Sequence, residues 1–179
     1  TGTGELGLSF KSSAQAALSY IRSRSAVFGL TTDFYEKIDI HVHVPEIGAV
    51  DGPSAGVTMC TAMTSALLGI PVKRSVAMTG EITLRGRVKP IGGLKEKVMA
   101  AHRGGITTVL VPADNAKDIP DLPRLVRDEV TLIVVEDMDD VLRHALALED
   151  PEGLFEGRRE DRPERQLPSP SLPAGNQPS

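Results

Sequence analysis

Two short segments carry residues whose types and spacing could do covalent chemistry. In Asp51-Gly52-Pro53-Ser54-Ala55-Gly56 a turn of small residues delivers a serine to the start of a stretch, residues 52–72, that contains no charge. In Gly92-Gly93-Leu94-Lys95-Glu96-Lys97 a lysine stands early in a second helical pattern. A serine hydroxyl attacks a carbonyl when a base takes its proton, and lysine can replace histidine in that role. At a helix N-terminus, free backbone N–H groups also stabilise the oxyanion that forms on the attacked carbon. Because Pro53 has no N–H, those donors must come from Ser54 itself and from the Asp51 or Gly52 side of the turn. Gly52, Ala55 and Gly56 keep the approach to the hydroxyl open. Taken alone, the turn is better explained as a helix cap than as a nucleophile, and such an N-terminus also binds phosphate without catalysis.

Lys97 is the second half of the hypothesis. At helical spacing Leu94, Val98 and Ala101 share one direction; Lys97 lies about 60° from its centre, Lys95 toward the other edge and Glu96 opposite. Lys97 therefore borders the expected buried face beside Ala100 and Ala101. An isolated lysine ordinarily packs its stem and sends its ammonium to water. A lysine serves as a base only when its pKa falls from about 10.4 to about 7 or 8, about 4 kcal/mol against the charged form. Desolvation or a nearby positive charge supplies that, and a touching carboxylate opposes it, so Glu96 has to face away.

The elements that must position these residues follow from periodicity and punctuation. Ser12 to Arg24 is predicted as a helix with Leu18 and Ile21 on one side, ended near Gly29. Ile38, Ile40, Val42 and Val44 alternate with Asp39, His41 and His43, a strand buried on one face, closed by Pro45. Pro53 suits a first helical position, and Gly69 and Pro71 end the uncharged helix, which is read as buried in a globular domain rather than as a membrane span. Short strands are predicted at Val76 to Met78 and Ile82 to Val88, with a turn at Arg85-Gly86, followed by a helix over Leu94 to Arg103. Thr108 to Val111 and Leu132 to Val135 read as strands, Ala116 to Arg127 as a proline-interrupted helical region, and Asp137 to Leu148 as a helix with an acidic first turn. The pattern is that of an α/β or α+β domain with a mixed sheet and flanking helices.

Composition narrows the class. The 179 residues are 40% hydrophobic but only 3% aromatic, enough for one core built from aliphatic side chains. A net charge of -4 disfavours a dedicated nucleic-acid binder, although Lys73, Arg74, Arg85, Arg87 and Lys89 fall close together. The single cysteine, Cys60, lies in the apolar helix and points to a reducing compartment, taken as the cytoplasm. The start Thr-Gly-Thr-Gly-Glu, without initiator Met or leader, suggests a piece of a longer protein. From Pro151 onward, 29 residues hold six of the 13 prolines and the charged run Arg158 to Arg162. We divide the chain accordingly into a domain over 1–149 and a disordered, proline-rich charged tail over 150–179.

Between the two reactive segments lies Met78-Thr79-Gly80-Glu81-Ile82-Thr83-Leu84-Arg85-Gly86, and Pro90-Ile91 leads into the lysine motif. In this order and spacing the three motifs resemble the proteolytic, C-terminal domain of the Lon protease family, over roughly residues 1 to 148. The resemblance implies a single compact α/β proteolytic domain. Its implied activity is that of a serine endopeptidase with a Ser-Lys dyad, hydrolysing unfolded or damaged proteins in protein quality control. Ser54 falls on the family's nucleophile, Lys97 on its base, and Thr79 on a threonine whose hydroxyl orients the lysine; Asp51, Gly52 and Glu81 take supporting positions in loop order or subunit contact. The implied partners are unfolded polypeptide, further copies in a homohexamer and a covalently linked ATPase domain, with no membrane. The cut itself needs neither metal nor organic cofactor; ATP and Mg belong to the ATPase domain, and no Gly-x-x-x-x-Gly-Lys-Ser/Thr loop occurs here.

His41 and His43 match a His-Val-His segment of that family and are read as a polar strand face near the cleft, without a partner set for a metal. A Ser-His-Asp triad using Asp39 or Asp51 is the competing constellation, and the lysine motif argues against it. One departure stands out: the family's Pro-Lys pair before the aspartate is missing, and Pro45-Glu46-Ile47-Gly48-Ala49-Val50-Asp51 is apparently one residue shorter. Two other classes of function therefore stay open: a catalytically silent assembly domain, and an anion- or nucleic-acid-binding module built on the Ser54 helix N-terminus.

Overall fold

The computed structural model of the chain describes residues 2–3, 7–43 and 52–155. The described elements begin with β1 (Gly2–Thr3), α1 (Leu8–Ser23), α2 (Phe34–Lys37) and β2 (Val42–His43). A 3-10 turn at Pro53–Ala55 leads into α3 (Gly56–Leu68), then β3 (Val76–Met78), β4 (Glu81–Ile82), β5 (Val88–Lys89) and α4 (Leu94–Arg103). After β6 (Thr108–Pro112) come a 3-10 stretch at Ala113–Asp121, α5 (Arg124–Glu129), β7 (Thr131–Val135), α6 (Met138–Ala145) and a last 3-10 turn at Glu152–Leu154.

Strands β3, β6 and β7 form a parallel sheet in that order, with Met78 opposite Leu110 and Leu110 opposite Ile133. Parallel neighbours need crossovers, so such a sheet is covered on both faces and its strands are apolar on both sides. Side chains sort by alternation along each strand. Leu110 and Val135, with Val76, Met78 and Ile133, pack under α1, α3 and α6. Val109 and Val111, with Ala77 and Leu132, pack under α4 and α5. The result is an α/β fold of three layers, to which β4 and β5 add an antiparallel hairpin with Glu81 opposite Lys89.

The uncharged run becomes α3, buried along most of its length through Val57, Met59, Cys60, Met63, Leu67 and Leu68. Among the described residues no helix is long and apolar enough to cross a membrane. The helix predicted from Ser12 begins earlier, at Leu8, because Phe10 is already part of its buried face. At the other end of the fold Asp137 caps α6 by accepting the Asp140 N–H at 3.0 Å.

Two expectations need correction. The strand predicted over 38–44 is paired, among the described residues, only at Val42–His43, because its parallel partner β1 offers just Gly2 and Thr3. Residues 151–155 do not behave as a tail: Leu154 is buried in the main core, and the Phe155 ring meets Phe28 edge-on at 6.4 Å beneath the Arg143 guanidinium. Two apolar residues in a polar run carry no periodicity, yet they suffice to pin the chain. The rest of the proposed tail, from Glu156, lies outside the described residues.

Leu110 is the side chain at the centre of the sheet that faces α3, with 1% of its surface exposed. Leu110→Ala is expected to cost about 2–5 kcal/mol, through lost burial and the cavity left behind. A urea titration should show it as a lower midpoint at unchanged slope.

Candidate active site

Ser54 is positioned by its backbone. Gly52 has φ 119°, a conformation that side chains rarely adopt, and it turns the chain so that Pro53 opens the 3-10 turn. The Ser54 carbonyl accepts two hydrogen bonds, from the Gly80 N–H at 2.9 Å and from the Thr79 hydroxyl at 3.3 Å. Gly80 answers by accepting the Val57 N–H at 3.2 Å, and the Thr58 hydroxyl donates to the Met78 carbonyl at 3.4 Å. The start of α3 is thus laced to the carboxyl end of β3.

That lacing requires two glycines. A Cβ on Gly56 would stand 2.9 Å from both the backbone N and Cγ2 of Ile82, and a Cβ on Gly80 would stand 2.7 Å from Val88 Cγ1. The sequence suggested that Gly56 leaves room for a substrate; it leaves room instead for β4. Ser54 itself is half-buried, and among the described residues its hydroxyl donates to no neighbour.

Lys97 sits one turn into α4, its N–H donating to the Gly93 carbonyl at 3.2 Å. Helical phase placed it at the border of a buried face, but the contact made by α4 is narrower than that: Leu94 and Val98 are buried, whereas Lys97 and Ala100 are exposed. Among the described residues no hydrogen bond or ion pair reaches the Lys97 amine, and none joins it to Ser54.

The topology nevertheless brings both residues to one edge. The N–H groups of Thr107 and Thr108 donate to the Ser75 carbonyl, so α4 ends beside the start of β3. A ten-residue helix is about 15 Å long. Its first turn therefore lies back at the carboxyl edge of the sheet, where α3 also begins. The two helices cover opposite faces, and the carboxyl edge is where open α/β sheets place their ligands.

The supporting residues divide. Thr79 is buried at 7% exposure, and the partner its hydroxyl has is the Ser54 carbonyl, on the serine's side of the site. Glu81 lies on β4 with its carboxylate 3.9 Å from the Lys89 amine. Asp51, and the loop from Glu46 that leads to it, lie outside the described residues. His41 and His43 line an apolar groove of about 480 Å³ between α1, α3 and β2, with Ile40, Val42, Ala55 and Met63. Among the described residues no group of three His, Cys, Asp or Glu could hold a metal ion. Burial pushes the Cys60 thiol up to about 12, so it stays protonated and offers no rival nucleophile.

Comparison with known proteins decides what this arrangement belongs to. The model of the Lon protease (S16) C-terminal proteolytic domain matches residues 1–148. The chain belongs to the Lon protease family. It is 64% identical to the Lon protease of Brevibacillus choshinensis over 148 residues, 82% of this chain and 19% of that one. With Lon protease 1 of Myxococcus xanthus the identity is 60% over 152 residues, 84% of this chain and 18% of the relative. With Lon protease 1 of Bacillus subtilis it is 60% over 146 residues, 80% and 19%. The chain thus spans about a fifth of the length of the curated relatives it matches.

Two features of this Lon-type domain escaped the sequence. The groove beside Ser54 is assembled from residues far apart in the chain, and only the alternation of Ile40 and Val42 hinted at an apolar wall. Asn115, buried at 3% exposure, holds the loop before α4; its one sequence signal is an amide just past a strand end.

The glycine lacing makes Gly56→Ala informative. Because the added methyl meets backbone at 2.9 Å, the change is expected to destabilise the domain by about 1–3 kcal/mol. Thermal denaturation reads that loss, and Ala55→Gly on the neighbouring residue is the comparison that meets no such wall.

Proposed function

We propose that this domain is the serine endopeptidase unit of an ATP-dependent protease, cutting unfolded polypeptide with Ser54 as nucleophile and Lys97 as base. The observation that carries the proposal is the shared edge. Within the Lon protease match, the serine of the Asp-Gly-Pro-Ser turn and the second lysine of the Gly-Gly-Leu-Lys-Glu-Lys run stand at the starts of two helices at one end of one sheet.

In the first half-reaction Ser54 Oγ attacks the scissile carbonyl as neutral Lys97 takes the hydroxyl proton. Collapse of the tetrahedral species breaks the C–N bond, and Lys97 returns the proton to the leaving amine. Water then attacks the acyl-serine as Lys97 takes its proton, and the ester C–O bond breaks as Lys97 returns that proton to Ser54 Oγ, which frees the acid and restores both residues. Backbone N–H groups at the start of the Ser54 turn stabilise the oxyanion in both halves.

Lys97 is exposed in the single chain, whereas a neutral amine is favoured by removal from water. We therefore assign the covering of Lys97 to bound substrate and to adjoining copies in a homohexamer, with the ATPase domain linked in the same longer chain. The cut uses no metal or organic cofactor; ATP and Mg serve the ATPase domain, and the assembly works in the cytoplasm. The apolar groove next to Ser54 fits an apolar side chain of the substrate.

Ser54→Ala and Lys97→Ala are each expected to abolish peptidase activity, a loss of about a thousandfold or more, while leaving the fold intact. Full activity in either variant removes the dyad. An acylating serine probe is expected to label Ser54; absent labelling, with intact oligomers and no peptide turnover, would favour the silent assembly domain, and phosphate binding without labelling the anion-binding module.

The pH profile is an independent check. Catalysis by a neutral amine rises with pH through the base's apparent pKa, and kcat/KM of the assembled protease should turn over at least about two units below the 10.4 of a free lysine. A profile still rising at pH 10 is that of an unperturbed lysine and would overturn the proposed covering of Lys97.

A further inference from the structure

The Ser54–Lys97 reading says which groups react but not what sets their distance, and the hydrogen bonds of Asn115 answer that. We propose that Asn115 is a positioning residue for the reaction, holding the helix of Lys97 in register with the turn of Ser54. The proposal rests on the dyad reading.

Asn115 lies just past the carboxyl end of β6 and is 3% exposed. Its side chain meets the backbone of Ile91 as a neighbouring strand would. Oδ1 accepts the Ile91 N–H at 2.9 Å, and Nδ2 donates to the Ile91 carbonyl at 2.9 Å. The other Nδ2 proton goes to Asp118 Oδ2 at 2.8 Å. An asparagine alone matches this pattern at this reach, since aspartate lacks the donors and glutamine is longer by a methylene. A buried amide left unpaired has lost its hydrogen bonds to water without replacement, so the clamp resists loosening.

What the clamp holds is a segment with little else to hold it. Ile91 is followed by Gly92 and Gly93, which carry no side chains to pack and stand in nearly open space. Burial of Leu94 and Val98 keeps α4 against the sheet and the Thr107 and Thr108 N–H groups tie the chain after it to Ser75, which leaves its first turn the freest part. The Ile91 clamp removes that freedom.

The two reactive residues then hang from adjacent strands. Ser54 is tied to β3 through Gly80 and Thr79, and the Thr79 N–H donates to the Leu110 carbonyl of β6 at 3.4 Å. Lys97 is tied to β6 through Asn115, Ile91 and the first turn of α4. The register of β3 on β6, Met78 opposite Leu110, thereby sets nucleophile against base.

The test uses the full-length protease with Asn115→Ser, Asn115→Asp, Lys97→Ala, and Asn115→Ser combined with Lys97→Ala. Asn115→Ser is expected to lower kcat on a fluorogenic peptide by about ten- to a hundredfold with KM within about twofold of the parent, because the groove of α1, α3 and β2 is untouched. Asn115→Asp, which sets a carboxylate against the Ile91 carbonyl and Asp118, should lose at least as much. Acylation of Ser54 by a fluorophosphonate should slow in parallel, yet slow no further when Asn115→Ser is added to Lys97→Ala. Val126→Ala opens a cavity in the same cluster but removes none of the Asn115 hydrogen bonds, so it should lower the melting temperature and leave kcat per folded molecule unchanged. An Asn115→Ser loss that merely tracks the folded fraction, or an equal slowing of acylation with and without Lys97, overturns the proposal. Lys97→Ala that retains activity overturns the dyad instead, whatever Asn115 does.

Discussion

The close approach of α3 to the corner between β3 and β4 is the constraint on which the rest depends. It exists because Gly56 and Gly80 have no side chains: the backbone of Ile82 and the methyls of Val57 and Val88 occupy the space that Cβ atoms would take. Backbone groups brought this near must pair or pay desolvation, and they pair. The Ser54 carbonyl takes the Gly80 N–H and the Thr79 hydroxyl, and the Gly80 carbonyl takes the Val57 N–H. A serine held through its own carbonyl has little positional freedom, while among the described residues its hydroxyl donates to no neighbour.

The three-layer arrangement explains why two residues so far apart in sequence share an edge. Between β3 and β6 the parallel sheet returns its chain through α4, which runs against the strands and so starts at the carboxyl edge; α3, which precedes β3, starts there because its first turn is hydrogen-bonded to Thr79 and Gly80. α3 covers one face and α4 the other, and their first turns lie at the ends of the adjacent strands β3 and β6. Burial then distinguishes the partners. Ser54 is half-buried beside an apolar groove, while Lys97 stands exposed on a helix that contributes only Leu94 and Val98 to the core. The difference lies in the packing: α3 is covered along most of its length, whereas α4 turns only one narrow stripe to the sheet.

Much of this was legible in the sequence where a local cause acts. The turn from Gly52, the proline at the first helical position, the helix Leu94–Arg103 and the strand Val76–Met78 all follow from punctuation and period within a few residues. Where the cause is distant, the sequence misleads. Gly56 read as open space for a substrate and is filled by Ile82. Leu154 and Phe155 read as part of a polar tail and close the core against Phe28. Lys97 read as the border of a buried face, since phase gives direction on a helix but not the width of what covers it.

By itself, then, the sequence determined the family, the fold class and the order of the main elements, because motifs, alternation and helix signals are properties of neighbouring residues. Only the tertiary structure decided that Ser54 is tethered through Thr79 and Gly80, that Asn115 clamps Ile91, and that Lys97 meets solvent. Each of these is a relation between segments tens of residues apart, set by strand register and by which faces happen to pack. No local pattern of residue types encodes such a relation.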